Sequence, residues 1–430
     1  MERIDVELFI FLGTLFVFLL TGIPVAIVLI ICSLVLLRWL GLYDPLVLAQ
    51  QMITGTDNFI LTTVPFFILA GEIMKHGGIS ARLIRFAQLL LGRLRGGMGY
   101  AGILACMLFA GLSGVAIADA SALGSVLIPM MVAIGYDKGR ATGLVCSSAL
   151  TAPIIPPSVP MIILGVTVEL SIGRLFVMGI VPGILLGLTL MVTWFFVVRR
   201  DGYHDTRITP LNEMLPVFLD ALPALMLPVI IIVGIRMGFF TPTEGGAVAC
   251  VYAFVVAACI SRELRWKAIP DIFFNAVKGS ATVMFIVCGA YTIGWLITIA
   301  QVPMQIVSLF EGLVDSPTLL VITLNMLLLA LGMVLDITPI ILIFAPVIYP
   351  LIRAAGIDPY YFAIIMILNL CVGLITPPVG TVLYVGCSVS NLKLDKVVRG
   401  ILPFLAAEII FLVACIMFPI IITGPARLFG

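Results

Sequence analysis

Apolar runs of bilayer length recur from one end of this chain to the other, and that property decides the solvent in which it folds. A membrane-crossing helix needs about 20 predominantly apolar residues. Such runs lie near 6–20, 23–38, 58–75, 175–198, 221–237, 243–260, 274–299 and 401–422. Of the 430 residues 62% are hydrophobic and 10% charged, whereas a soluble domain carries about 25% charged residues. The remainder is too small to make a water-facing surface around such a core. The predicted fold class is therefore an all-α polytopic membrane protein, and the N-terminal MERIDVELF reads as the start of a retained membrane helix.

Four further apolar stretches are broken midway. The spans 140–170 and 360–390 are interrupted by TAPIIPPSVP (151–160) and GLITPPVG (373–380), and they read as broken helices. The spans 98–134 and 318–351 are interrupted by GLSGVAIADAS (111–121) and GMVLDITP (332–339), and they read as re-entrant helical hairpins. Lys and Arg collect on the cytoplasmic side of a membrane protein. With the N-terminus outside and both hairpins re-entrant, 17 of the 23 basic residues fall inside. The six outside are Arg3, Arg38, Arg174, Arg236, Arg353 and Arg427. Segment 79–95, ISARLIRFAQLLLGRLR, spaces arginines among apolar residues at a helical period and is expected to lie along the cytoplasmic interface as an arm.

A net charge of +1 gives no field for nucleic acid. The nine cysteines form no CxxC, and His76 and His204 stand far apart, so the cysteines read as small buried hydrophobes. No HExxH and no GxxxxGK[ST] occurs, which removes the metalloprotease and P-loop classes.

The chain also repeats itself. Adding 221 carries Gly111 to Gly332, Pro129 to Pro350, Asp137 to Asp358, Pro156-Pro157 to Pro377-Pro378, Gly165 to Gly386 and Pro182 to Pro403. Each copy holds five crossings and one hairpin. Five is odd, so the second copy enters from the opposite face: two inverted-topology repeats. Such repeats mark secondary transporters whose binding site lies near the midplane, where broken helices meet.

Unwound backbone at membrane depth persists only where protein or a polar cavity satisfies it. Proline removes a donor and frees the carbonyl one turn back, and freed carbonyls are hard, uncharged ligands for sodium. About two Na+ sites are expected. The first pairs Ser113 with backbone at Ala152, Ile155 and Pro157; the second pairs Gly332 with Gly373, Thr376 and Val379. Substrate or gating candidates are Gly114, Asp119, Pro156, Asp336, Thr338, Pro377 and Pro378. Asp336 either tunes a cation site or caps the helix opened at Ile337. Glu72 and Lys75 read as an interfacial pair, Glu244 as a helix-start carboxylate, and Glu408 has no assignment.

The segment 332–380, GMVLDITPIILIFAPVIYPLIRAAGIDPYYFAIIMILNLCVGLITPPVG, resembles the large membrane subunit of tripartite ATP-independent periplasmic (TRAP) transporters, as do GLSGVAIADASALGSVLIPMM, APIIPPSVPMIILG and VPFFILAGEIM. The resemblance covers essentially the whole chain. It implies a transporter, not an enzyme, that works by an elevator mechanism in the bacterial inner membrane. Sodium coupling, a small four-helix membrane subunit and a periplasmic binding protein that delivers an organic anion are implied with it. Substrates in such a family are carboxylates such as C4-dicarboxylates, sialic acid or related sugar and keto acids; the alternative is a dicarboxylate symporter that needs no binding protein. The expected organisation is scaffold helices over 1–75, the arm over 76–97 and a first transport-domain half over 98–174. Scaffold helices and an interdomain loop follow over 175–299, then a second transport half over 300–395 and a C-terminal helix over 396–430. The outward hairpin and the acidic loop at Glu311 and Asp315 are the expected docking points for a partner. The family's first hairpin tip is usually richer in small hydroxyl residues than SGVAIADAS, which favours a first site made of carbonyls.

Overall fold

In the computed structural model, which describes residues 2–203, 211–301 and 316–429, every regular element among the described residues is helical. Among the described residues eight helices are long and apolar enough to cross a membrane. The chain is a multi-pass membrane protein.

The first five helices are α1 (Glu2–Leu20), α2 (Val25–Trp39), α3 (Pro45–Thr56), α4 (Thr63–His76) and α5 (Ile79–Leu91). The first hairpin is α6 (Gly97–Ser113) and α7 (Ala116–Ala133), and the first broken helix is α8 (Lys138–Ala149) and α9 (Val159–Thr167). Four long elements follow or flank: α10 (Ile172–Asp201), α11 (Leu211–Arg236), α12 (Pro242–Val255) and α13 (Ile269–Ile299). The second hairpin is α14 (Pro317–Gly332) and α15 (Ile337–Ala354), and the second broken helix is α16 (Pro359–Gly373) and α17 (Thr381–Ser390). The chain ends in α18 (Leu394–Met417) and α19 (Ile420–Phe429).

The local chemistry explains most boundaries. Asp44, Asp137, Ser158, Ser171 and Asp358 each accept a backbone N–H at a helix start. Glu244 closes a full capping box with Thr241. Two boundaries differ from the sequence expectation. Helix α3 lies in a stretch too short and too polar to register as a span. The last apolar run divides at Phe418–Pro419, because proline cannot continue the ladder of α18.

The arm helix α5 does not present its apolar stripe to lipid alone. Leu83, Ile84, Ala87 and Leu89 are buried, and α5 packs against α6 and α11. Arg82 binds Asp220 at 2.7 Å and Glu263 at 2.9 Å, tying the arm to two other elements. Of the basic and acidic positions used for topology and docking, Arg207, Glu311 and Asp315 lie outside the described residues, as does His204.

Contacts between the two sequence halves bind the interior. Helix α18 packs along α8, α17 against α7, and α15 against α9. Gly143 lets the α18 backbone approach so closely that a Cβ there would stand 2.7 Å from the carbonyl carbon of Gly400. Arg140 secures the same seam at its end: Nε lies 3.0 Å from Asp201 and Nη1 donates to the Gly400 carbonyl at 2.8 Å. Breaking a partly buried charged pair with an added charge-assisted bond costs about 2–3 kcal/mol. Arg140→Ala is expected to lower the melting temperature by several degrees, with Arg140→Lys restoring only part of it because lysine cannot make both bonds at once. Thermal unfolding of the purified protein in detergent reads this directly.

Candidate substrate cavity and ion sites

The two hairpins and the two broken helices converge on one interior region. At the first hairpin, α6 ends in Ser113, Gly114 takes a left-handed conformation with φ +64°, and α7 opens at Ala116. A Cβ on Gly114 would lie 2.5 Å from the Pro157 carbonyl oxygen, so the tip sits directly on the first break. Ser113 is thus brought to Pro157, and no hydrogen bond reaches the carbonyls of Ala152, Ile155, Pro156 or Pro157 among the described residues. Two of them, Ala152 and Pro156, stand four residues before Pro156 and Pro160, where proline supplies no donor. The Pro153 carbonyl, by contrast, accepts from Ser158 Oγ at 2.6 Å.

The second hairpin repeats the theme with backbone alone. Helix α14 ends at Gly332 and α16 ends at Gly373; a Cβ on Gly373 would be 2.7 Å from both the Cα and the carbonyl carbon of Gly332. Gly380 N–H donates to the Met333 carbonyl at 3.1 Å, closing the break onto the tip. Thr376 Oγ1 donates to the Val372 carbonyl at 2.6 Å, which leaves its lone pairs available, and among the described residues the carbonyls of Thr376 and Val379 accept no hydrogen bond. Peptide bonds Pro156-Pro157 and Pro377-Pro378 are both cis. A buried amide pair stitches α14 to α16: Asn369 Nδ2 donates to the carbonyl and to Oδ1 of Asn325, each at 2.8 Å.

Two helix C-terminal ends therefore meet at Gly332 and Gly373. Each carries a partial negative charge, so the junction attracts a cation. The N-terminal ends face elsewhere. A cavity of about 230 Å³ is lined by the first turns of α7 (Ala116, Ile117), α9 (Val159, Pro160) and α15 (Ile337, Thr338). Three helix N-termini aimed into one space attract an anion. Ser113, Asp336 and Thr338 line this cavity. Asp336 occupies the N-cap position of α15 but makes no side-chain capping bond.

Asp119 is placed differently. It is fully buried, accepts from Ser113 Oγ, and is not among the cavity-lining residues; its second oxygen has no partner. The cavity is also lined by Gly71, Glu72 and Lys75 of α4 and by Gly279 and Val283 of α13, none of them a site candidate from the sequence. Lys75 Nζ lies 3.5 Å from Glu72, so the pair forms as its spacing suggests, but it forms at the cavity. A charge pair one turn apart looks the same in sequence whether its helix end faces water or a binding space.

The profile of the family "Tripartite ATP-independent periplasmic transporter, DctM component" matches residues 12–421. The chain is 45% identical to the 2,3-diketo-L-gulonate TRAP transporter large permease protein of Escherichia coli, over 97% of this chain and 98% of that protein. It is 37% identical to the sialic acid TRAP transporter large permease protein of Vibrio cholerae, over 96% of each chain. With the C4-dicarboxylate TRAP transporter large permease protein of Pseudomonas aeruginosa it shares 39% identity, over 86% of this chain and 87% of that protein. These are transporter permease subunits, not enzymes. The match along nearly the whole chain settles the family: this protein belongs to the large permease (DctM) component of tripartite ATP-independent periplasmic transporters.

Proposed function

We propose that this chain imports an organic anion across the bacterial inner membrane by sodium-coupled secondary transport. A small membrane subunit would complete the permease, and a periplasmic binding protein would deliver the substrate. The substrates named for the relatives above are all carboxylates, and the substrate class proposed here is the same: a C4-dicarboxylate, a sialic acid or a related sugar or keto acid. Membership of a tripartite family favours this reading over a symporter without a binding protein.

The observation that carries the proposal is the polarity of the half-helices. The first turns of α7, α9 and α15 line one cavity together with Ser113 at the end of α6, while the ends of α14 and α16 meet at Gly332 and Gly373, next to the lining residue Leu374. Anion and cation sites thus lie side by side. Glu72 and Asp336 outnumber Lys75 in the cavity wall, so bound sodium offsets a net negative charge before an anion enters. Lys75 is the basic side chain available to a substrate carboxylate.

An elevator fits the composition of the walls. One wall comes from α4 and α13 of the expected scaffold, and the others come from the hairpins and breaks over 98–174 and 300–395. Sliding of that transport unit, built from two inverted repeats, would carry the cavity from one membrane face to the other. Each net positive charge crossing 100 mV contributes about 2.3 kcal/mol: two sodium ions move one net charge with a monoanion and none with a dianion, for which the sodium concentration gradient alone drives uptake.

Uptake into proteoliposomes containing both membrane subunits and the binding protein tests the proposal. Under an imposed sodium gradient, Thr376→Ala is expected to raise the sodium concentration for half-maximal uptake by about tenfold, the loss of one oxygen ligand costing about 1.4 kcal/mol. Uptake indifferent to sodium in the unsubstituted protein would overturn the coupling.

A further inference from the structure

Glu408 sits in the interior of α18 with 1% of its surface exposed, and among the described residues neither carboxyl oxygen has a partner in hydrogen-bond geometry. It makes no ion pair among the described residues. From α8 it faces Ser147, whose Oγ is also buried and unpartnered, and Cys146; from α16 it faces Cys371. Among the described residues, no charged side chain of the other packed elements (α10, α14, α17 and α19) acts on it.

Its position sharpens the difficulty. Ser147 lies in the last turn of α8 and Cys371 in the last turn of α16, the two half-helices that end at the proline breaks. Both ends carry partial negative charge. A bare carboxylate there would be desolvated, unpaired and beside two negative dipole ends, which is prohibitive in a membrane interior. Thiols and aliphatic neighbours cannot offset that charge. A cation can.

We propose that Glu408 and Ser147 form a cation-binding site separate from the hairpin sites, occupied by a monovalent cation: a proton or an alkali ion. The site offers three oxygens, two from the carboxyl and one from the hydroxyl that acts on it. The site joins α18 to the end of α8, with the end of α16 beside it at Cys371, so its occupant sets how the first broken helix is held to α18. The inference stands without the sodium-coupled reading, because it uses no residue of the hairpin sites.

The test follows thermal unfolding of the full-length protein in lipid nanodiscs, in choline buffer with and without sodium, and across about pH 5 to about pH 8. Unsubstituted protein, Glu408→Gln and Thr376→Ala are compared. With a proton as occupant, the folded protein holds one proton more than the unfolded chain. The melting temperature then falls as pH rises, and Glu408→Gln flattens that slope. With an alkali ion, Glu408→Gln loses part of the sodium-induced rise that Thr376→Ala retains. A Glu408→Gln protein that keeps both responses unchanged would overturn the proposal. Should that variant fail to assemble, Ser147→Ala removes one of the three oxygens and keeps the carboxyl; it is expected to weaken the same response by about tenfold, and an unchanged response would overturn the site. Loss of sodium-driven uptake in Thr376→Ala with the Glu408 response intact separates the two readings.

Discussion

Replacing Gly373 by alanine is expected to abolish sodium-driven uptake, by about 100-fold or more, while the protein still inserts. The added methyl would stand 2.7 Å from the Gly332 Cα and carbonyl carbon and 2.9 Å from the Gly332 oxygen. All three are backbone atoms, so no side chain can swing aside. Overpacking of this kind costs about 1–3 kcal/mol, and about 2.8 kcal/mol is a hundredfold. The strain falls at the meeting point of two helix ends, so α14 and α16 must part there. The proposed ion site needs Gly332, Gly373 and Thr376 within one coordination sphere, and parting them dissolves it. Gly294→Ala supplies the control, since nothing lies within 4 Å of a Cβ at that position. Uptake and surface abundance measured together decide the matter: near-normal uptake by Gly373→Ala would mean that the contact is not part of the transport cycle.

The same junction shows what the sequence carries and what it does not. Gly332 and Gly373 were legible as partners because proline breaks must be satisfied at membrane depth and the 221-residue offset marks equivalent breaks. A local rule also put Glu244 at a helix start, where the structure has it closing a capping box with Thr241. The cavity wall was not legible. Glu72 and Lys75 sit on α4, which packs on α6 and α9 through tertiary contacts that no local pattern encodes. The Asn325–Asn369 pair was hidden for the same reason: two amides 44 residues apart become one buried network only when α14 lies against α16. The repeat even misdirects at Asn369, whose counterpart at the same offset is Ser148, a residue bonded within its own helix to Leu144. Symmetry of backbone breaks does not extend to every side chain around them.

Ser113→Ala is expected to be nearly as damaging, for a reason that concerns Asp119 as much as sodium. Ser113 Oγ donates to one oxygen of a fully buried Asp119 and accepts from Val115 N–H at 3.3 Å, while the other Asp119 oxygen is already bare. Removing the hydroxyl leaves both oxygens orphaned, at a cost of about 1–3 kcal/mol for a neutral group and more for a charged one. Yield of folded protein and melting temperature should both fall. Asp119→Ala in the same chain removes the orphan, so the double variant should be more stable than Ser113→Ala alone, with a coupling of about 1–2 kcal/mol between the two sites. Strictly additive losses would show that the two residues do not act as a pair. The double variant then isolates the second role of Ser113. With the packing penalty lifted, a sodium affinity that stays weak by about tenfold identifies the hydroxyl as an ion ligand. An affinity restored to that of the unsubstituted protein assigns the first site to the free carbonyls of Ala152, Ile155 and Pro157 alone, and leaves Ser113 the task of holding Asp119 and the hairpin tip in place.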